Sequence, residues 1–291
     1  MKKFFSKNKG LLFIIPWLLG LVVFRLVPFA LSLGLSFTDY QLVNVPHFIG
    51  LQNYKDMFAN VEYRGSFLTT MKYVFLTVPF KLSFALFIAY ILNFKIKGVN
   101  FFRTAYYIPS ILGGSVAIAI LWRFIFAADG LINIGLGFIG LPTVNWLGDT
   151  RTALFTVCLL RVWQFGSAMI IFLAALKNIP TELYEAAEID GASKFSMFFR
   201  ITLPMLTPVI FFNFVMQLVE AFQEFKGPYL ITQGGPRNST MLLPVLIYNN
   251  AFAYFKMGYA SAIAWSLFLV IMVFTLFTFK SQKSWVHYSD D

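Results

Sequence analysis

The chain has 291 residues, of which 58% are hydrophobic and 12% charged, with a mean hydropathy of +0.72. So little polar surface excludes a compact soluble domain and makes this an integral membrane protein. Its 23 Lys and Arg outnumber 13 acidic residues, yet no extramembrane segment carries a basic run with interleaved aromatics, so topology accounts for the excess and nucleic acid does not.

The N-terminal MKKFFSKNKG has the basic start of a signal peptide. The apolar run after it is too long for such a peptide's core, so an uncleaved first helix is expected. Six predominantly apolar runs of about 20 residues or more follow one another near 11–36, 66–93, 103–127, 152–176, 204–228 and 258–280. They lack the alternation of a barrel strand, so the expected fold is an all-α bundle of six transmembrane helices, read as a single domain over 1–291. Between them, 37–65 is the longest external segment, with a short surface helix around LQNYKDMF; 128–151 and 229–257 carry Gly and Pro turns. None of these is large enough to fold alone, so external capture of a ligand calls for another protein.

Orientation follows from the basic residues. With the N-terminus inside, Lys2, Lys3, Lys7, Lys9, Lys95, Lys97, Arg103, Lys177, Lys194, Arg200, Lys280 and Lys283 fall in cytosolic segments, about twice the number in external loops. Both termini and the segment 178–203 are therefore expected in the cytosol.

Several chemistries are missing from the sequence. It contains no G-x-x-x-x-G-K-[ST] loop to cradle phosphates, and no G-x-S-x-G, H-E-x-x-H or C-x-x-C. Cys158 is the single cysteine and lies in an apolar run, while His47 and His287 stand alone, which leaves no disulfide framework and no metal cluster. No covalent catalysis is expected.

The scarce acids are concentrated in one place: Glu182, Glu185, Glu188 and Asp190 fall within LYEAAEIDGASKFSMFFRITLP and just before it. Thr181 is placed to cap a short helix, with Glu182 at its positive end, and Gly191 to end it in the left-handed conformation. Ser193 can cap a second helix bearing Phe195, Phe198 and Phe199, and Pro204 opens the fifth span. The result is a helix-turn-helix knob. A connector resting on the membrane is the alternative, but four acids are repelled by an anionic leaflet. A basic, apolar-lined socket on another protein suits them better.

The fifth run carries a second polar feature. Asn213, Gln217, Glu220 and Glu224 recur at spacings of 4, 3 and 4, which place them on one helical face, with Phe222 and Gln223 nearby. Carboxylates at mid-membrane are costly, so this stripe should line a water-filled path or meet a buried partner; interhelical hydrogen bonding is the other reading. Arg161 in the fourth run lies at a similar depth, so an ion pair with Glu220 or Glu224 is expected. Arg25, Lys72 and Lys81 are further candidates to face the interior, and Arg123 is near enough to a span end to snorkel.

EAAEIDGASKFSMFFRITLPMLTP resembles the EAA signature of binding-protein-dependent ABC importer permeases, through Glu185, Ala186, Ala187, Asp190, Gly191 and Ala192, then Ile201, Leu203, Pro204 and Pro208. PYLITQGGPRNSTMLLPVLIYNNAFAYFKMGYASAIAWSLFLVI, FRLVPFALSLGLSFTDY and FRTAYYIPSILGG are similar to the MalF-type sugar permeases of the carbohydrate uptake family. The resemblance implies that 178–203 holds a coupling helix entering a cleft on an ATP-binding subunit, with Glu185 and Asp190 bonding that subunit, Gly191 turning the chain, and Ala186 and Ala187 permitting close approach. It also implies sugar contacts at Tyr106, Ser110, Trp163, Gln164, Ser167, Glu220, Ala221 and Glu224, beside the stripe residues Asn213, Gln217 and Gln223. The chain lacks the extra N-terminal helices and large external insertion of the maltose relative, and it has carboxylates where neutral residues are expected.

The implied assembly has a second permease of the same type, two ATP-binding subunits that hold ATP and Mg, and an extracytoplasmic sugar-binding protein, in a bacterial cell membrane. This chain would itself bind no cofactor. A secondary transporter would use the intramembrane charges as an ion relay, but no inverted repeat is evident. An ABC permease for a non-sugar solute would share the EAA segment and lack the TQGGPRNST loop.

Overall fold

The computed structural model describes residues 9–94 and 97–287. Lys2, Lys3, Lys7, Lys95 and the two chain ends, on which part of the orientation argument rests, lie outside them. The chain packs as two compact units, Met1–Tyr63 with Leu246–Phe268 and Arg64–Val245 with Leu269–Asp291.

In the first unit, α1 (Lys9–Leu21) passes through a π-helical turn at Val22–Leu26 into α2 (Val27–Ser36). Pro28 lacks the N–H that would bond the previous turn, and the wider turn, closed by Val27 N–H on the Val22 carbonyl, keeps the span continuous. α2 packs on the last helix, α16 (Met257–Trp285), through Phe29, whose ring lies 4.5 Å from Trp265, and through Ser32, which accepts the Trp265 indole N–H at 3.1 Å. The short surface helix is α3 (Gln52–Ala59), and its buried Asn53 donates to the carbonyls of Ser36 and Thr38. Without that amide two carbonyls at the end of α2 would be unsatisfied.

Of the helices that reach into the second unit, α4 (Val61–Asn93, whose first turn belongs to the first unit) and α16 are unbroken, while three spans are bent. α5 (Val99–Leu112) meets α6 (Val116–Ile125) at 107°, and α8 (Ala153–Trp163) meets α9 (Gly166–Lys177) at 43°. The segment 194–205 meets α13 (Thr207–Phe222) at 64°. Among the described residues, three helices are long and apolar enough to cross a membrane, and six segments are if each bent pair is one span.

The third, fourth and fifth runs are therefore not the continuous helices that their hydropathy predicts. Gly113 and Gly114 break the third, where Ser115 caps α6 by accepting the Ile118 N–H at 3.3 Å. Pro208 can neither donate to the preceding turn nor fit against its carbonyl, which bends the fifth. That span also starts before 204 and ends at Phe222, short of the expected 228; α14 (Lys226–Thr232) then forms a separate helix. In the segment 128–151, expected to be external and to carry turns, the structure has a helix α7 (Leu131–Phe138). Asn133 of α7 is buried and fastens the loop, donating to the carbonyls of Ala127, Ala128 and Val144 while accepting from Val144 N–H and the Trp146 indole.

The third and fourth spans cross at a glycine. A Cβ on Gly166 would stand 2.4 Å from the Tyr106 carbonyl and 2.7 Å from the Tyr107 Cα, both backbone atoms that cannot yield cheaply. Gly166→Ala is expected to destabilise the protein by about 2 kcal/mol, as overpacking does. Gly65→Ala, where the Cβ meets nothing within 4 Å, should match or exceed wild type by helix propensity. Thermal unfolding of the detergent-solubilised variants checks the contrast.

Candidate functional site

The polar stripe of α13 is met by a charged side chain from the fourth span. Arg161, in the last turn of α8, places Nη2 3.1 Å from Glu220 Oε2 and Nε 3.2 Å from Glu224 Oε2, so one guanidinium serves two carboxylates a helical turn apart. Glu224 lies just past the helix end, and its other oxygen accepts the Gly227 N–H at 2.9 Å in the first turn of α14, where a carboxylate suits the free amides.

The breaks in the third and fourth spans are closed by the same group of residues. Each break frees backbone groups that need partners away from water. Gln164, at the C-terminal cap of α8 and only 3% exposed, donates to the Gly113 carbonyl at 3.2 Å and accepts from Arg161 Nη1 at 3.2 Å. Ser110 Oγ donates to the Gln164 carbonyl and accepts the Ser167 N–H, each at 3.1 Å. Arg161, Gln164 and Glu224, with Tyr73, Val157 and Leu160, thus line a small recess where three interrupted spans come together.

A second cation lies on α4. Lys81 is 2% exposed and donates from Nζ to Gln217 Oε1 at 2.5 Å. Lys81 and Arg161 match Glu220 and Glu224 in number. Arg25, Lys72 and Arg123 are exposed on their helices.

The other expected residues divide into two groups. Glu220 is 45% exposed along its side chain, and Trp163, Ser167 and Gln223 are exposed on this chain. Trp163 stands 5.7 Å from Trp122, and Tyr106, half-buried, 5.8 Å from Phe165. Asn213 and Ala221 are buried, and the Asn213 amide donates to the Val209 carbonyl of its own helix. The sequence reading had no signal for the Gly113 carbonyl or for Tyr73 and Gly227.

The EAA segment forms α10 (Thr181–Ile189) and α11 (Lys194–Met197). Pro180, not Thr181, occupies the cap position, because Thr181 is already helical and its side chain makes no capping bond. The turn between the helices satisfies the last carbonyls in two steps: Gly191 N–H reaches the Glu188 carbonyl at 3.0 Å and Ala192 N–H reaches that of Ala187 at 2.9 Å, with Gly191 at φ +75°. That pattern brings Ala187 and Ala192 to the two positions that commonly share an apolar contact in such caps. Ser193 caps α11 by accepting the Ser196 N–H at 3.2 Å. Glu185, Ala186 and Asp190 are exposed, beside Ile189 (87%) and Phe195 (75%), while Tyr184 anchors the knob by a 2.8 Å hydrogen bond between its hydroxyl and that of Thr202. The knob thus carries acids beside bare apolar side chains.

Comparison with known proteins decides the family. Residues 63–284 match the family described as "Binding-protein-dependent transport system inner membrane component". The chain belongs to that family. The permease is 49% identical over 296 aligned residues to the "Probable ABC transporter permease protein YesP" of Bacillus subtilis, covering 99% of this chain and 96% of that protein. It is 33% identical over 278 residues to the "Probable starch degradation products transport system permease protein AmyD" of Thermoanaerobacterium thermosulfurigenes, covering 94% and 93%. A chain of a crystallised bacterial ABC transporter "involved in the import of the acidic polysaccharide alginate" superposes with a TM-score of 0.84 at 22% identity, covering 97% of each chain, and so shares the fold. The permease is thus a multi-pass membrane subunit of an ABC transporter.

Proposed function

We propose that the permease forms one half of the translocation path of an ABC importer for oligosaccharides and transmits to it the ATP hydrolysis of a separate subunit. The observation that carries this reading is the polar stripe of α13, with Glu220 and Glu224 facing Arg161 and Gln217 facing Lys81, and with Trp163 exposed close by in sequence. Hydroxyl-rich ligands need such convergent donors and acceptors with an aromatic face, whereas lipid tolerates none of them. The relative named for starch degradation products supports the sugar class.

A second permease of similar kind completes the pore, an extracytoplasmic binding protein delivers the sugar, and both termini lie in the cytosol with the coupling segment. Glu185 and Asp190 are the acids, and Ile189 and Phe195 the apolar side chains, that α10 and α11 offer to the ATP-binding subunit. ATP and Mg sit on that subunit, which supplies phosphoryl-transfer chemistry; the permease forms and breaks no covalent bond. Its work is alternating access, in which closure of the ATP-binding subunits changes the relative stability of inward- and outward-facing states.

The test is ATPase activity of the reconstituted complex with its binding protein, screened over neutral and uronate-containing oligosaccharides. A rise that needs both the sugar-loaded binding protein and this chain is the expected result. Uptake by this chain alone, driven by a proton or sodium gradient, would overturn the reading.

A further inference from the structure

Lys81 is a buried cation that the path just described does not use. It stands twelve residues from the Asn93 end of α4, and Gln217 stands ten residues from the start of α13, so both lie well inside their helices. A lysine so placed is costly unless a polar group receives it. Among the described residues, its close acceptor is the side-chain oxygen of Gln217.

That contact settles the orientation of the Gln217 amide by chemistry. A lysine ammonium has three donors and no acceptor, so the atom facing it must be the amide oxygen. The nitrogen of Gln217 therefore points away from Lys81 and is left with its two donors. Three residues on, on the same face, Glu220 has its carboxylate 45% exposed along the side chain, an acceptor-only group.

We infer that Lys81 is a positioning residue that holds Gln217 with its amide N–H toward the path, so that Gln217 and Glu220 present a donor and an acceptor one turn apart to neighbouring hydroxyls of a sugar. This inference rests on the importer reading above and adds to it a recognition element and the residue that orients it. Without the ammonium, the amide could turn over and offer its oxygen, and two acceptors would then face the same hydroxyls. Lys81 touches no sugar in this scheme; it acts through Gln217.

The discriminating variant is Gln217→Glu. It keeps an oxygen for Lys81 and replaces the neutral acceptor by a carboxylate, so the contact between the two helices is preserved, but it removes both N–H donors. Uptake by the reconstituted complex, with its binding protein, would be followed with radiolabelled neutral and uronate-containing trisaccharides, alongside the melting temperature of each variant. The expected result is a melting temperature at or above wild type with a half-saturating concentration of sugar-loaded binding protein raised about tenfold, the factor that corresponds to 1.4 kcal/mol. Lys81→Met is expected to raise the same concentration while Lys81→Arg, which can still donate to the amide oxygen, recovers most of the loss.

A Gln217→Glu complex that is half-saturated within twofold of wild type would overturn the inference, because a purely structural contact predicts that outcome. This holds even where Lys81→Met fails to assemble. A wild-type complex that takes up none of the trisaccharides would instead overturn the importer reading itself, so the two failures are told apart.

Discussion

Arg161→Glu is expected to abolish sugar uptake by the reconstituted importer, and adding Glu220→Arg to restore a substantial part of it. In the native arrangement one guanidinium lies 3.1 Å from Glu220 and 3.2 Å from Glu224. Reversal at 161 would set three carboxylates together between α8 and α13, with Lys81 bonded elsewhere. Glu224, 12% exposed along its side chain, would lose its partner without regaining water, whereas Glu220, 45% exposed, keeps its hydration and adds little to the cost.

The double variant keeps the same number of each charge. The guanidinium, now carried by α13, can reach the carboxylate introduced on α8 and also Glu224 one turn along its own helix. The exchange also spares Glu224 for the Gly227 N–H, which Glu224→Arg would not. Uptake together with surface expression checks the pair of variants. A double variant as inactive as Arg161→Glu alone would mean that position and geometry matter beyond charge balance. Because Arg161 also donates to Gln164, and Gln164 holds the Gly113 carbonyl, the single variant should in addition loosen the junction of the third and fourth spans. Faster proteolysis near residues 113–115 would report that loosening.

The second large effect is expected at the knob. Gly191→Pro should leave the permease in the membrane and abolish the link between ATP hydrolysis and uptake. Gly191 sits at φ +75°, which proline, held near −65°, cannot adopt, and its N–H donates to the Glu188 carbonyl, which proline cannot do. The end of α10 would unwind and Asp190, Ala192 and the whole of α11 would be redirected. Glu185→Lys acts differently: its side chain is exposed, so the fold is kept and only the charge offered to the partner is reversed. Both variants should show ATPase activity that no longer responds to the sugar-loaded binding protein, with uptake near background. Normal uptake by either one would remove α10 from the coupling role. Melting temperature separates the two, since Gly191→Pro should lower it and Glu185→Lys should not.

Much of this molecule is legible in one dimension, and the reason lies in the solvent. In hydrocarbon every backbone group must be paired within its segment, so apolar runs of sufficient length announce helices, and the number and order of the six spans could be read from hydropathy. The same simplicity made the polar residues conspicuous: a stripe at spacings of 4, 3 and 4 on the fifth run, and an arginine at matching depth on the fourth. The depth comparison that paired Arg161 with the stripe would also have matched Lys81 to Gln217, at roughly 15–18 Å from the Asn93 and Thr207 ends of their helices. The turn at Gly191 was readable for a separate reason, because caps are local and depend on residues within one turn of each other.

Hydropathy counts residues and is blind to direction, so it could not separate a straight span from a broken one. The breaks at Gly113–Ser115, Gln164–Phe165 and before Pro208 leave the apolar run intact while bending the axis by 43° to 107°. Whether a break is tolerated depends on which side chains, distant in sequence, reach its freed backbone groups. Here Gln164 reaches Gly113 and Ser110 reaches Gln164. The sequence alone determined that this is a multi-span membrane protein with a charged stripe and a capped acidic knob, since those follow from periodicity and composition. Only the tertiary structure decided that Arg161 serves two carboxylates at once and that Lys81 grips Gln217, because such pairings depend on how bent helices cross.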